Sequence, residues 1–135
     1  MGAGLSNAAS PNPQSLLAGR TAIVESGTND GAATSTTLYT VTAGKTFYLV
    51  SATMNYFNRI TATIPSWGAL KVGSSNILIV ESCAIAGGDA IYVNQSNSLA
   101  PALPLPFPAG TVFYLAKSSA STQHRTSGSI FGWEE

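Results

Sequence analysis

The chain has 135 residues, of which 44% are hydrophobic and only 9% are charged. Six basic and six acidic side chains cancel, so the composition offers no basic patch for the backbone of a nucleic acid. This length suits one domain with one hydrophobic core. Because a surface without net charge is poorly protected against self-association, two interpretations stay open: an ordinary β domain with a hydroxyl-rich surface, or a protein covered by neighbouring chains.

The first eighteen residues differ from the rest of the chain. Residues 1–18 carry no charged side chain and consist mainly of Gly, Ala, Ser, Asn and Pro. Such a segment cannot bury enough apolar surface to offset the entropy lost on ordering it. We therefore predict an extended N-terminal arm over residues 1–18, held by a neighbouring chain, and a single β-sandwich domain over residues 19–135. The apolar side chains of the arm that would contact this neighbour are Leu5, Leu16 and Leu17.

From Arg20 onward, apolar residues recur with a period of two, which favours strands over helices. Turn-rich segments, among them Gly27–Gly31 and Ser96–Ser98, separate the predicted strands. About eight short strands without an amphipathic helix indicate an all-β fold, and we favour a jelly-roll-like β-sandwich over an up-and-down barrel. The predicted strands cover residues 21–25, 39–42, 46–57, 69–72, 76–84, 90–94, 111–116 and 129–133.

One phrase occurs twice in the chain. Ala43-Gly44 is followed, after two residues, by Phe47-Tyr-Leu49, and Ala109-Gly110 is followed in the same way by Phe113-Tyr-Leu115. Because glycine accepts a positive φ and the aromatic run suits a half-buried sheet, each copy predicts a turn that leads into a strand. Alternate strand positions predict these core residues: Ile23, Tyr39, Val41, Phe47, Leu49, Leu70, Ile77, Ile79, Ile91, Val93, Phe113 and Leu115.

Prolines shape the segment that precedes the second copy. Pro101, Pro104, Pro106 and Pro108 cannot donate to a sheet ladder, so this segment is predicted to be an extended edge or a crossover. Pro104, Pro106 and Pro108 also interrupt the longest apolar stretch, residues 102–116, and no membrane-spanning helix is predicted. The N-terminal residues also lack the basic start and apolar core of a secretory leader.

Side chains that perform catalysis or bind metals are scarce. His124 is the only histidine and Cys83 the only cysteine, so the chain offers neither a disulfide nor several soft metal ligands. A catalytic triad needs a histidine beside a nucleophile and a carboxylate, and the chain has no Gly-x-Ser-x-Gly motif. Glu25 and Glu81 lie in predicted strands, where we interpret them as solvent-exposed. We expect no enzymatic activity, no cofactor and no metal.

Aromatic residues provide the candidate interface. Neighbouring residues of a strand point to opposite faces, so one member of each Phe-Tyr pair must leave the core. We predict that Tyr48 and Tyr114 point outward, where they suit a protein interface or the stacking of a sugar. Phe131 and Trp133 lie on one face of a predicted C-terminal edge strand, where they either complete the domain's own sheet or contact a neighbouring subunit.

Three phrases resemble those of small jelly-roll structural proteins of tailed bacteriophages: Tyr39–Leu49, the Pro-Phe-Pro-Ala-Gly-Thr turn at residues 106–111, and Gly128–Glu135. In size the chain is most similar to the capsid cement or decoration proteins, which sit as trimers on the head lattice. The resemblance covers roughly residues 35–135.

This resemblance implies that the protein acts through interfaces. It implies a homotrimer that binds the major capsid protein, or another virion protein, on the capsid surface after synthesis in the host cytoplasm. It implies no catalytic residues, no cofactor, and neither a nucleic acid nor a membrane as partner. The alternative function is a carbohydrate- or receptor-binding β-sandwich module of a phage tail or fibre.

Overall fold

The computed structural model describes residues 19–60, 65–83 and 91–135. These residues form nine antiparallel strands in two sheets, which confirms the predicted all-β sandwich. Within them there is no helix, and hence none that could cross a membrane. The strands are β1 (Ala22–Asn29), β2 (Ser35–Thr40), β3 (Phe47–Ile60), β4 (Pro65–Val72), β5 (Ser75–Cys83), β6 (Ile91–Leu99), β7 (Leu105–Phe107), β8 (Val112–Lys117) and β9 (His124–Glu134).

The strand order follows from one folded hairpin. The larger sheet has the order β1-β9-β3-β6, with β7 also paired to β3, and the smaller sheet has the order β2-β8-β4-β5. With β7 set aside, the first strand pairs with the eighth, the second with the seventh, the third with the sixth and the fourth with the fifth. This is one long antiparallel hairpin folded over on itself, and β9–β3 and β8–β4 pair where its two halves meet.

The two copies of the repeated phrase meet in the hydrophobic core. Phe47 and Phe113 contact edge to face, with ring centroids 5.5 Å apart and planes at 82°. Leu49 and Leu115 are buried beside them. Both phrases therefore direct their phenylalanine and leucine inward, as the two-residue period predicts.

The turns that precede these strands are also neighbours. Gly44 and Gly110 have φ angles of 75° and 80°, which is the left-handed conformation that glycine adopts without steric cost. The N–H of Gly110 donates to the carbonyl of Val41 over 3.0 Å. The same sequence pattern therefore forms two neighbouring turns at one corner of the sandwich.

The other end of the space between the sheets is polar. Asn58 donates from Nδ2 to Ser66 Oγ over 2.9 Å, and the Thr126 hydroxyl donates to the carbonyl of Ala116 over 3.0 Å. The five buried polar residues there and nearby are at most 3% exposed: Asn29, Asn58, Ser66, Lys117 and Thr126.

Several predicted boundaries are wrong. Ser96–Ser98 lies inside β6 and not in a turn, because pairing with β3 along residues 52–60 overrides the local turn preference of Ser and Asn. Gly27 lies inside β1, which continues to Asn29. The proline segment adds a ninth strand, β7, which pairs only with β3 and so keeps the predicted edge position.

The predicted core side of β5 is also wrong by one residue. Leu78 and Val80 are 6% and 7% exposed, whereas Ile77 and Ile79 are only half-buried. A register shift between Leu70 and Lys71 places one extra residue in β5, and each such shift exchanges the two faces of a strand. Among the remaining predicted core positions, Ile23, Tyr39 and Val93 are half-buried, and the side chain of Ile91 lies outside the described residues.

Candidate functional site

The outward face of the larger sheet carries a regular array of small uncharged side chains, which we call the hydroxyl grid. On β1, β9, β3 and β6, every second residue points away from the core. At the middle of each of these four strands, the outward residues are Ser, Thr or Asn. The hydroxyl grid consists of Ser26, Thr28, Ser127, Ser129, Thr53, Asn55, Ser96 and Ser98.

The strand register arranges the hydroxyl grid in two rows. Ser26, Ser129, Thr53 and Ser98 are direct cross-strand partners and form the first row; Thr28, Ser127, Asn55 and Ser96 form the second. Given the usual strand spacing, each row is about 14 Å long, and the rows lie about 7 Å apart. An open groove of about 760 Å³ lies above the grid.

Part of the hydroxyl grid is held in place by its own hydrogen bonds. The Thr53 and Ser129 hydroxyl oxygens are 2.9 Å apart. Asn55 donates from Nδ2 to Asn94 Oδ1 over 2.7 Å and to Ser96 Oγ over 3.0 Å. Within the described part of the chain, four other hydroxyls form no hydrogen bond with a protein group, and they are therefore available to a ligand: Ser26, Thr28, Ser98 and Ser127.

The groove is electrically neutral. None of its lining residues, which span 26–28, 53–55, 96–98 and 127–129, is ionisable. Along β9 the next outward residue beyond the grid is Arg125, whose guanidinium carbon lies 5.1 Å from the centre of the Phe57 ring. The groove therefore presents donors and acceptors without a field that would select for either sign of charge.

At one end of the same sheet the surface is apolar, and we call this region the apolar end. Val24 is 64% exposed and is the cross-strand partner of the half-buried Phe131. Tyr48 lies beyond them on β3, next to Pro106 of β7. Leu105 is 37% exposed at the β7 edge, but it pairs with the buried Leu49 and so lies on the inner side of the sheet. Leu103, which is 76% exposed, lies in the segment that leads into β7. The apolar end comprises Val24, Tyr48, Phe131 and, in the segment that precedes β7, Leu103.

A stack of side chains supports the apolar end. The Tyr48 ring lies parallel to the Trp133 indole, with centroids 5.2 Å apart and planes at 14°. The guanidinium carbon of Arg20 lies 4.5 Å from the centre of the indole, and Arg20 Nε is 3.1 Å from Glu135. Trp133 is only 4% exposed, so it holds Tyr48 in place and contributes almost no surface of its own.

The prediction that Phe131 and Trp133 lie on an edge strand is wrong, because β9 lies between β1 and β3.

The structure brings together three of the predicted interface residues and separates a fourth. Tyr48, Phe131 and Trp133 share the outward face of the larger sheet. Tyr114 lies on the opposite side of the sandwich, on the outward face of the smaller sheet, where its hydroxyl donates to the carbonyl of Gly73. Three further predicted residues, Leu5, Leu16 and Leu17, lie outside the described residues.

His124 is part of the polar core and not of the groove. Its Nδ1 lies 2.8 Å from the Tyr56 hydroxyl. Burial, and after it the positive charge of Lys117, lower the pKa of His124. In the described residues no carboxylate is hydrogen-bonded to this imidazole, and no group of three or more His, Cys, Asp and Glu residues is placed to hold a metal ion.

Sequence reasoning missed the hydroxyl grid. Two of its three-residue segments, Ser96–Ser98 and Ser127–Ser129, consist of residues that are also typical of turns. A signal was present: Ser or Asn recurs at every second position from Asn94 to Ser98, and Ser127 and Ser129 repeat the same spacing. Such alternation over a whole strand predicts one polar face.

No protein-family model matches the chain, and a comparison with curated proteins gave no match either. The functional inference therefore rests on the two regions of this sheet face, the hydroxyl grid and the apolar end.

Proposed function

We propose that this protein is a virion structural protein, most like a capsid cement or decoration protein, that stabilises a shell through protein–protein contacts. The observation that carries the proposal is the apolar end, an exposed hydrophobic surface on the face of a rigid sheet. Exposed apolar side chains that cluster together are typical of protein interfaces.

The strand order supports this proposal. Pairing of the first with the eighth strand, and so on to the fourth with the fifth, is compatible with a jelly roll of eight strands. Jelly rolls are used in viral capsids, although lectins and other proteins use them as well. The strand order therefore favours a shell protein only in part. The chemistry of the exposed surface has to distinguish a shell protein from a lectin.

The composition of the apolar end favours a protein partner. Interfaces are enriched in aromatic residues at their centre and depleted in charged ones. Tyr48 and Phe131 are such aromatic residues. Val24, the cross-strand partner of Phe131, is 64% exposed, and Leu103, which precedes β7, is 76% exposed. Because Trp133 holds Tyr48 by stacking, little side-chain entropy is lost when a partner binds.

The proposed assembly is a homotrimer that attaches to the major capsid protein or to another virion protein. Closed rotational symmetry lets each copy use the same patch without leaving an open end. The low proportion of charged residues, 9%, is compatible with a surface that neighbouring chains cover.

The experiment compares variants that change the apolar end alone. Analytical ultracentrifugation gives the oligomeric state, and cosedimentation with shells of the major capsid protein encoded in the same genome gives attachment. We expect Val24→Ser combined with Leu103→Ser to weaken assembly or attachment at least tenfold. Val112→Ser is the matched control, because Val112 is 37% exposed but belongs to the smaller sheet.

Two results would overturn the proposal. The first is a wild-type protein that is monomeric at micromolar concentration and does not bind shells. The second is a double variant that binds as well as the Val112→Ser control.

A further inference from the structure

We propose that the groove above the hydroxyl grid is a binding site for a neutral oligosaccharide. This activity is separate from the protein contacts proposed above, because it uses a different part of the sheet face. The juxtaposition that supports it is a two-row, four-strand array of uncharged donors and acceptors under an open groove of about 760 Å³.

The ligand class follows first from the absence of charge in the lining. A phosphate, sulfate or carboxylate placed in the groove would lose hydration without meeting a cation there. A cationic ligand would likewise find no carboxylate among the lining residues. A ligand rich in neutral hydroxyls avoids this cost, because each of its groups can donate to or accept from the hydroxyls of the grid.

The composition of the groove also distinguishes a sugar from a protein. Protein interfaces are depleted in serine and enriched in aromatic residues, methionine and arginine. Five of the eight grid residues are serine, and none is aromatic. An extended peptide would bind instead to a free sheet edge, where backbone groups are unpaired. The grid lies on the face of the sheet, where the backbone groups are already paired.

Some groups of the hydroxyl grid are already oriented by internal hydrogen bonds, and the others can form hydrogen bonds with a ligand in place of water. Asn55 and Thr53 are oriented by bonds to Asn94, Ser96 and Ser129, so part of the site is preorganised and loses little entropy on binding. The hydroxyls of Ser26, Thr28, Ser98 and Ser127 have no protein partner in the described residues and face the same groove. They lie beside the oriented groups in the same two rows.

The test uses the full chain and a defined set of probes. Maltohexaose, cellohexaose, mannohexaose and chitotetraose are each titrated at millimolar concentration, and backbone amide shifts are followed by NMR. A sialylated and a sulfated oligosaccharide serve as charged comparisons. We expect at least one neutral probe to shift amides in residues 26–28, 53–55, 96–98 and 127–129, and the charged probes to bind more weakly.

Variants then assign the binding to the hydroxyl grid. Thr28→Val and Ser127→Ala remove hydroxyls that form no internal bond, so the fold should be retained, and each should weaken binding about two- to tenfold. Thr37→Val is the matched control, since Thr37 is an exposed strand residue on the smaller sheet. Its affinity should equal that of the wild type.

Three outcomes would overturn the inference: no shift with any neutral probe, shifts confined to other parts of the protein, or unchanged affinity in the Thr28→Val, Ser127→Ala double variant. None of these outcomes depends on the apolar end. Conversely, loss of assembly in the Val24→Ser, Leu103→Ser variant leaves the groove intact, so the two proposals can fail separately.

Discussion

The ammonium group of Lys117 donates a hydrogen bond to the backbone carbonyl of His124 over 3.0 Å. It also donates to the carbonyl of Ser121 over 3.1 Å and to that of Gly31. Lys117 is only 1% exposed, and its three donors are all used. One buried cation therefore connects the end of β8, the loop that leads to β9, and the loop that follows β1.

Replacing Lys117 by Met tests this connection. The apolar side chain would fill much of the same volume, but it would leave three carbonyls without their donor. We expect a loss of about 3 kcal/mol in the free energy of unfolding. The measurement is urea unfolding followed by tryptophan fluorescence. Lys45→Met is the control and should change the free energy by less than about 0.5 kcal/mol, because Lys45 is exposed. Equal effects of the two variants would contradict the structural role.

His124 should make stability depend on pH. Burial and the charge of Lys117 lower its pKa in the folded protein below the ordinary value of 6.5. The unfolded chain therefore takes up a proton first as the pH falls. Stability is complete above pH 6.5 and is lost as the pH decreases through the lowered pKa. His124→Asn should remove this loss between pH 7 and pH 5, measured by urea midpoints at each pH.

Glu134 should also make stability fall as the pH decreases, but at lower pH than His124. The two contributions therefore have to be separated by a control variant. Although burial opposes it, hydrogen bonds from Tyr39 and Thr42 lower the pKa of Glu134 below 4.5. This group contributes stability above pH 4.5 that is lost below it. Tyr39→Phe should reduce that acid loss while leaving the His124 step in place. A His124→Asn variant whose stability falls as steeply as the wild type between pH 7 and pH 5 would refute the assignment.

Gly132 should be intolerant of any side chain. A Cβ atom there would lie 2.0 Å from the carbonyl oxygen of Tyr48 and 2.8 Å from the Phe47 ring. We expect Gly132→Ala to destabilise the fold by more than about 3 kcal/mol, because the nearest atom belongs to the backbone and cannot move aside. Gly31→Ala is the matched control: a Cβ atom there meets nothing within 4 Å. Thermal unfolding by circular dichroism measures both, and similar melting temperatures would contradict the packing.

Substitution of either turn glycine, Gly44 or Gly110, should change the free energy of unfolding by a similar amount. Gly44 and Gly110 have φ angles of 75° and 80° with open space around the missing Cβ atom. Alanine at either position should therefore cost only the backbone penalty, about 1–2 kcal/mol. Asparagine, which tolerates the left-handed region, should cost less. Unfolding free energies of the four single variants test this, and an alanine variant as stable as its asparagine counterpart would count against it.

Local alternation was sufficient to predict part of this fold. The repeated phrase directs Phe47, Leu49, Phe113 and Leu115 into the core and the tyrosines outward, and this follows from the two-residue period alone. The same period predicted the all-β class. Both predictions depend only on residues that are neighbours in the chain.

The features that were predicted wrongly or missed depend on residues that are far apart in the sequence. The position of β9 at the centre of a sheet is determined by pairing with β1 and β3, which are far away in the sequence. The bulge beside Lys71 exchanges the faces of β5 without a glycine or proline to mark it. The hydroxyl grid escaped prediction because its segments resemble turns until cross-strand partners show them to be strands.

The central position of β9 also determines when this protein can fold. Ala22 is paired with Trp133, so the larger sheet joins segments that leave the ribosome far apart in time. Until residues 124–134 emerge, β1 and β3 have no strand between them, and the apolar inner faces of the two sheets remain incompletely covered. Topologies dominated by such long-range pairs fold in milliseconds to seconds. Closure of the larger sheet therefore waits for β9, and a chain that has not yet paired this strand exposes the unpaired strand edges and apolar surface from which aggregation starts.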